Sequence, residues 1–230
     1  MNAPRDPSAM RDAATVILLR RDGDSPSVLM GMRGEKAVFM PSRYVFPGGA
    51  VDAADAEAAL AAKAEPVTAL RLSAEVEPGA PAPAQLLAAG LRELAEETGL
   101  LIGQPGESDM TLYDKAGLCP DPSGLHYVFR AITPPGRPRR FDARFFLADA
   151  ALVHGDPDDF SNACDELSHL HWVPLDQARA LHLPFITEVV LAEVAAIARA
   201  AGSGPLPVPA TVPFFDNRGE APRFVQIGAA

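Results

Sequence analysis

The stretch Leu91–Leu100, Leu-Arg-Glu-Leu-Ala-Glu-Glu-Thr-Gly-Leu, gathers the carboxylates most able to do chemistry. On an α-helix at about 100° per residue, with Arg92 at 0°, Glu96 falls at about 40°, Glu93 at about 100° and Glu97 at about 140°. Leu87, Leu91, Leu94 and Thr98 fall between about 200° and 260°. Three carboxylates therefore share one face, and the opposite face is apolar enough to pack on a sheet. Ala89, at about 60°, leaves the acidic face uncrowded. Like charges at i,i+4 cost roughly 0.2–0.5 kcal/mol on an exposed helix. The group also sits near the helix C-terminus, where the dipole disfavours anions. A divalent cation resolves both conflicts, because carboxylate oxygens suit Mg²⁺ or Mn²⁺ and those ions also pair with substrate phosphates. For the helix alone, the alternative is a solvated acidic face with an Arg92–Glu96 ion pair.

Upstream, Tyr44-Val45-Phe46 is short and β-prone, and Pro47-Gly48-Gly49 stops it. Paired glycines let backbone approach closely, and their carbonyls can join a metal shell. Asp52 and Asp55 follow. The order of Gly-Gly, a carboxylate and Arg-Glu-x-x-Glu-Glu-x-Gly resembles the signature of the Nudix hydrolase family, G-x5-E-x7-R-E-U-x-E-E-x-G-U, where U is apolar. Gly49, Arg92, Glu93, Leu94, Glu96, Glu97, Gly99 and Leu100 match it. There are two departures. Asp55 stands where the pattern has Glu, and 36 residues separate Asp55 from Arg92 where the pattern has seven, an excess of 29. Closure entropy grows only logarithmically with loop length, so such an insertion is tolerable.

One subfamily carries an insertion at this place and includes a peroxisomal coenzyme A diphosphatase. The resemblance to it extends through Phe39–Ser42, Val45–Gly49, Asp52–Asp55 and Arg140–Phe146, and covers roughly residues 13 to 200. The commoner coenzyme A signature ahead of the box is not reproduced here.

The resemblance implies an α/β Nudix fold, a mixed β-sheet sandwiched between helices. It implies hydrolysis of a phosphoanhydride in a nucleoside-diphosphate-linked substrate, with coenzyme A or an acyl-CoA leading. ADP-ribose, nucleotide sugars or dinucleotides are the alternatives within that chemistry, and a nucleotide sensor without catalysis lies outside it. By the same resemblance Glu96 and Glu97 hold the metals, with Glu93 as a ligand or water-activating base. A Gly48 or Gly49 carbonyl completes the shell, and Arg92 orients Glu93. Glu166 lies where the family often places one more carboxylate, as base or ligand; a surface acid is the alternative. Arg33 is a remnant of the coenzyme A signature and a substrate contact. Arg144 meets a substrate phosphate or makes a structural ion pair. Phe39 or Tyr44 stacks on a base or packs in the core. Arg137, Arg139 and Arg140 form a basic cluster that meets a phosphate-rich ligand or lies on an exposed loop.

These residues need elements to hold them. Ala13–Leu19 is a near-continuous apolar run, a buried strand, and Val28–Met32 pairs with it as a hairpin. Ala84–Thr98 is a helix closed by Gly99. The insertion, about 56–84, predicts a short helix near Glu57–Lys63, a second near Val67–Leu72 and a Pro-rich loop. Further strands are expected at Tyr127–Ile132, Ala143–Leu147 and Leu170–Val173, and an Ala-rich helix over Phe185–Ala200. A polar N-terminus, 1–12, reads as flexible. A Pro-rich tail, 202–230, holds one strand-like piece at Phe224–Ile227.

The chain has 230 residues, 48% apolar and 22% charged, which is enough to bury one substantial core and excludes wholesale disorder. The formal charge of −10 argues against non-specific nucleic-acid binding, which needs a basic stripe, and leaves an anionic ligand in need of a locally recruited cation. No run of about 18 apolar residues suggests a membrane span, and no apolar stretch near Met1 suggests a signal peptide. Cys119 and Cys164 lack metal-finger spacing and read as ordinary thiols of a reducing cytoplasm. A small nucleotide-type ligand is the expected partner, with a homodimer possible by family resemblance.

Overall fold

The computed structural model describes residues 9–23, 25–34 and 40–228. Among them the chain runs β1 (Met10–Arg20), β2 (Ser27–Arg33), β3 (Tyr44–Val45), β4 (Gly48–Ala50), a 3-10 turn (Ala53–Ala56), α1 (Pro66–Leu72) and α2 (Pro83–Thr98). It continues through β5 (Gly103–Pro105), α3 (Thr111–Ala116), β6 (Leu118–Pro120), β7 (His126–Ile132), β8 (Arg140–Asp149) and β9 (Leu167–Pro174). It ends with α4 (Phe185–Ala201), β10 (Val212–Asp216) and β11 (Arg223–Ile227).

The main sheet is mixed, ordered β11-β10-β7-β8-β1-β2, with β9 on the outer edge of β2. β1 pairs in parallel with β8 along its whole length, and antiparallel with β2 only at Leu19–Arg20. Where β1 and β2 part, β4 pairs with Ala13–Thr15 of β1 and β3 with Gly31–Met32 of β2. The Gly-Gly segment is thereby fixed against the centre of the sheet.

The apolar run in β1 is explained by cover on both faces. Ala14, Val16 and Leu18 pack toward α2, among Leu86, Leu87, Leu91 and Leu94. Ile17 and Leu19 pack toward α4, among Val190, Leu191 and Val194. A strand buried twice loses its alternation. α2 begins with Pro83 in its first turn and ends at Gly99, whose φ of 78° is the left-handed cap that glycine fills without strain. The mixed sheet between helices is the architecture expected of a Nudix fold.

Three expectations are corrected. No helix forms over Glu57–Lys63. The Ala59 and Ala61 N–H groups donate outward, to Asp109 Oδ1 and the Pro120 carbonyl, instead of back along a helix. The second segment does form, as α1, with Glu65 capping it through the Thr68 N–H at 2.9 Å. The first strand starts at Met10, inside the stretch read as flexible, because Met10–Asp12 continue the parallel ladder with Arg140–Asp142. The Pro-rich tail contributes two strands where one was expected: β11 forms at the strand-like Phe224–Ile227 and pairs with β10, the strand not foreseen, which pairs with β7, burying Val212, Phe214 and Ile227.

The tail also holds the insertion. Arg71 of α1 donates to the Pro209 and Ala210 carbonyls, each at 2.6 Å. Arg130 and Arg218 both donate to the Glu75 carbonyl. An open cleft of about 510 Å³ at this junction is lined by Glu75, Glu77, Asp216, Arg218 and Arg223, whose opposite charges pair. It shares no lining residue with the signature helix. No helix among the described residues is long and apolar enough to cross a membrane.

Candidate active site

Glu93, Glu96 and Glu97 stand on the last two turns of α2, beside β4. Gly49 makes the fit possible. A Cβ there would land on the Glu93 carboxylate, closer than any real contact. Gly48 is equally confined, since its Cβ would lie 2.5 Å from the Ala14 carbonyl oxygen and 2.6 Å from the Thr15 Cα.

Arg92 is the hub. Its Nε and Nη2 grip both oxygens of Asp55 at 2.7 and 3.0 Å, a bidentate pair in which Asp55 is almost wholly buried. Nη1 donates to Glu93 Oε1 at 2.8 Å and Glu96 Oε2 at 3.2 Å, and Nη2 to the Ala50 carbonyl at 3.1 Å. Burial works against its charge, but the Asp55 and Glu93 carboxylates outweigh that and push its pKa up. The two halves of the signature, with 36 residues between them, are thus rejoined by one guanidinium. The Asp52 N–H also donates to Asp55 Oδ2 at 2.7 Å.

Glu97 is 2% exposed. Its Oε2 accepts the Gly48 N–H at 2.7 Å, while Oε1 is buried without a partner. Burial pushes its pKa up to about 8; the Gly48 N–H pulls the other way, and the neighbouring Glu93 charge adds to the rise. Glu93 is raised too, chiefly by burial, against the pull of Arg92. Glu96 is about half exposed.

A buried, orphaned carboxylate oxygen beside two further carboxylates is an oxygen-rich setting that a hard divalent cation fits. Among the described residues no three His, Cys, Asp or Glu side chains form a ready-made coordination group. Glu93 is drawn to Arg92 and Glu97 to Gly48, which leaves an open set. Open sets suit Mg²⁺, which keeps several waters and takes few protein ligands.

Two other expected residues come to this place. Glu166, exposed ahead of β9, is close enough to raise both Glu93 and Glu97 electrostatically. Arg33 ends β2 opposite Leu167, favours the charged form of Glu97, and carries a buried Nε without a partner. Gly48 meets the site through its N–H, which donates to Glu97.

Arg144 is a correction. It is 1% exposed, bonded to Asp12 and to the Asp142 carbonyl at 2.8 Å, with the Asp142 carboxylate at 3.3 Å. It takes the ion-pair role instead of the substrate one. Register explains why: Asp12 and Asp142 are partners on β1 and β8, and Arg144 stands two residues along on the same face. Phe39 lies outside the described residues. Tyr44 is half-buried, edge-on to His171 with ring centroids 5.5 Å apart. Cys164 and Cys119 are free thiols. The Cys164 N–H caps the Glu96 carbonyl at 2.9 Å, a tie between the signature helix and the segment carrying Glu166 that no sequence signal announced.

No protein-family model matches the chain. Over an alignment of 184 positions that covers 72% of its length, the chain is 31% identical to a Caenorhabditis elegans protein named "Putative nudix hydrolase 7". It spans about half, 52%, of that curated relative. Among solved structures, a NUDIX hydrolase from Alicyclobacillus acidocaldarius superposes with a TM-score of 0.60 at 27% identity, covering 88% of this chain and 99% of the other. A MutT NUDIX hydrolase from Burkholderia pseudomallei gives 0.48 at 19% identity, over 81% and 99%.

Proposed function

The chain belongs to the Nudix hydrolase family by fold and signature, and on that premise we propose that it hydrolyses a phosphoanhydride in a nucleoside-diphosphate-linked substrate, with coenzyme A or an acyl-CoA leading. The observation that carries this reading is the closed Asp55–Arg92–Glu93 arrangement beside the orphaned Glu97 oxygen. Had the insertion pulled the two halves of the signature apart, Arg92 would have lost its grip on Asp55.

Glu93, Glu96 and Glu97 would hold Mg²⁺ or Mn²⁺, which neutralises the pyrophosphate and lowers the pKa of an attacking water. The chain's own residues do the rest. Gly48 fixes Glu97 through its N–H. Arg92 holds Glu93 in the space that Gly49 leaves open. Glu93, fixed by Arg92, would serve either as one of those ligands or as the base that takes a proton from water, and Glu166, whose charge is felt at Glu93 and Glu97, is near enough to take the second role. Water adds across the P–O–P link, and two phosphate monoesters leave. The intact carboxylate set argues for turnover over a sensor.

The test is release of adenosine 3′,5′-diphosphate from coenzyme A by the purified protein. Release in Mg²⁺ or Mn²⁺, abolished by EDTA, supports reaction and substrate together. No release removes coenzyme A and turns the assay to ADP-ribose, nucleotide sugars and dinucleotides. Calorimetric nucleotide binding without turnover of any of them would establish the sensor instead.

A further inference from the structure

The segment 153–166 brings Glu166 from the end of β8 to the start of β9, and it is acidic: Asp156, Asp158, Asp159 and Asp165 precede Glu166. It rests on the last turn of α2. There the Cys164 N–H meets the Glu96 carbonyl, and a Cβ on Gly99 would lie 3.0 Å from the Asn162 Cβ and 3.2 Å from the Ala163 nitrogen. One residue after Glu166, Leu167 pairs with Arg33 of β2. Three residues of chain reach about 11 Å at most. Glu166 is therefore held between the signature helix and the end of β2, where its charge is felt at Glu93 and Glu97.

Electrostatics opposes this docking. The C-terminal end of α2 carries the negative end of the helix dipole, and Glu93, Glu96 and Glu97 stand in its last two turns. A strap with five carboxylates is repelled there, so other contacts must hold it down. Phe160 packs a half-buried ring on the core. The second hold lies across β2, where Arg20 of β1 pairs with Ser27 on one side and Trp172 of β9 pairs with Leu29 on the other. The rows are two residues apart, which puts both side chains on one face of the sheet. The Trp172 Nε1–H donates to the Pro157 carbonyl at 3.3 Å. The Arg20 guanidinium lies over the indole, 4.0 Å from its centroid, with Nη2 2.9 Å from Asp158 Oδ1. That last contact is ionic, not a directed hydrogen bond, and alone a largely exposed pair adds little. Stacking on the indole fixes the cation in place beneath the acidic strap.

We propose that Arg20 and Trp172 are positioning residues: they clamp the acidic segment against the repulsion of the signature helix and so hold Glu166 beside Glu93 and Glu97. The inference rests on the metal-dependent hydrolase reading and adds to it a support that lies outside the signature. When the clamp is lost, the strap lifts, and a divalent cation at the site loses one negative neighbour.

The probe is Mn²⁺ alone, titrated into the full chain and followed by electron paramagnetic resonance, with melting temperature as the check on folding. Arg20→Met keeps an apolar stem on the indole and removes the charge. Trp172→Phe keeps a ring and removes the N–H. We expect Glu166→Gln to weaken Mn²⁺ binding about tenfold or more, as loss of a supporting partner does at metal sites. Each clamp variant should weaken it at least about threefold, within the range that coupled neighbours show. In the Glu166→Gln background the clamp substitutions should change Mn²⁺ affinity by less than about twofold, while lowering the melting temperature as before. Unchanged Mn²⁺ affinity in the folded clamp variants overturns the inference. A loss that persists in full without the Glu166 carboxylate also overturns it, because the clamp then acts on the fold alone. So does a Glu166→Gln protein that binds Mn²⁺ as the wild type does. The probe needs no substrate, so failure to hydrolyse any nucleotide would sink the hydrolase reading while this test still decides the clamp; a wild type that binds no Mn²⁺ ends both.

Discussion

In Glu97→Gln a buried carboxylate becomes a neutral amide that still offers an oxygen to the Gly48 N–H. The structure sets the size of the effect. In the unfolded chain Glu97 titrates near 4.5, and in the fold burial pushes it up to about 8. The folded protein then holds this proton more tightly than the unfolded chain does, so stability falls as pH rises from about 4.5 through about 8. At about 1.4 kcal/mol per tenfold change in proton affinity, the gap sets a ceiling of about 5 kcal/mol for the metal-free wild type at pH 9. The amide keeps the Gly48 bond but buries its own NH₂, so we expect roughly 1–3 kcal/mol to be recovered. In a chain of this size each kcal/mol moves the melting temperature by roughly 2–4 °C. Metal-free Glu97→Gln should therefore melt about 2–12 °C above wild type at pH 9, with most of the difference gone at pH 5. Saturating Mg²⁺ should reverse the order, because the wild type gains stability from binding and the variant gains little. Turnover should fall by at least about a hundredfold, more than loss of a supporting partner alone produces. A variant that melts below wild type at pH 9 in EDTA, or a difference that ignores pH, would refute the claim that this carboxylate is held at a cost to the fold.

Three further outcomes follow from other residues. Gly49→Ala should cut kcat at least tenfold while circular dichroism stays native, because the atoms nearest its Cβ are those of the Glu93 carboxylate, the end of a flexible side chain; wild-type turnover would show that Glu93 does not need that space. Arg144→Met should cost about 3 kcal/mol in denaturant unfolding, since it leaves Asp12 unpaired and strips Asp142 of one of its two arginines, with KM unchanged. A raised KM without lost stability would return Arg144 to the substrate. Ending the chain after Pro207 should abolish cooperative thermal unfolding, because it removes buried Val212, Phe214 and Ile227, each worth roughly 1.5–3 kcal/mol, and both carbonyl partners of Arg71. A sharp native-like melt would show the tail to be an accessory.

Local periodicity made α2 readable. Its leucines recur on one face, its acids on the other, and Gly99 ends it, so chemistry and placement came from ten consecutive residues. Long-range pairing was not readable in the same way. Asp55 and Arg92 are 37 positions apart, and only the family pattern put them at one site; geometry then showed that the shorter Asp reaches the guanidinium with both oxygens. Arg144 was left between a substrate phosphate and an ion pair because the partner that decides it, Asp12, lies 132 positions away. The tail was half hidden by its own composition: Phe224–Ile227 read as a strand, but Val212–Asp216 did not. Pro213 sits inside β10, and proline reads as loop in sequence. Burial of Phe214 under Arg130, 4.3 Å from ring to guanidinium, decides the matter in space.

The insertion's compatibility with a working site can be argued by magnitude. Lengthening the connection from seven residues to 36 is a little over two doublings, an entropic penalty of roughly 1.5 kcal/mol if the loop were free. Breaking a buried, hydrogen-bonded ion pair costs roughly 3–5 kcal/mol, and the Asp55–Arg92 pair is of that kind. Closure therefore outweighs the loop. The loop is also not free: Leu72 is buried in the core, Arg71 is tied to the tail, and Ala59 and Ala61 are tied to the β5–β6 excursion. Each tie removes chain entropy that closure would otherwise have to overcome. A segment anchored at both ends and in its middle, with its first turn against the acidic face, is placed to stand beside the site rather than to disconnect the site's two halves.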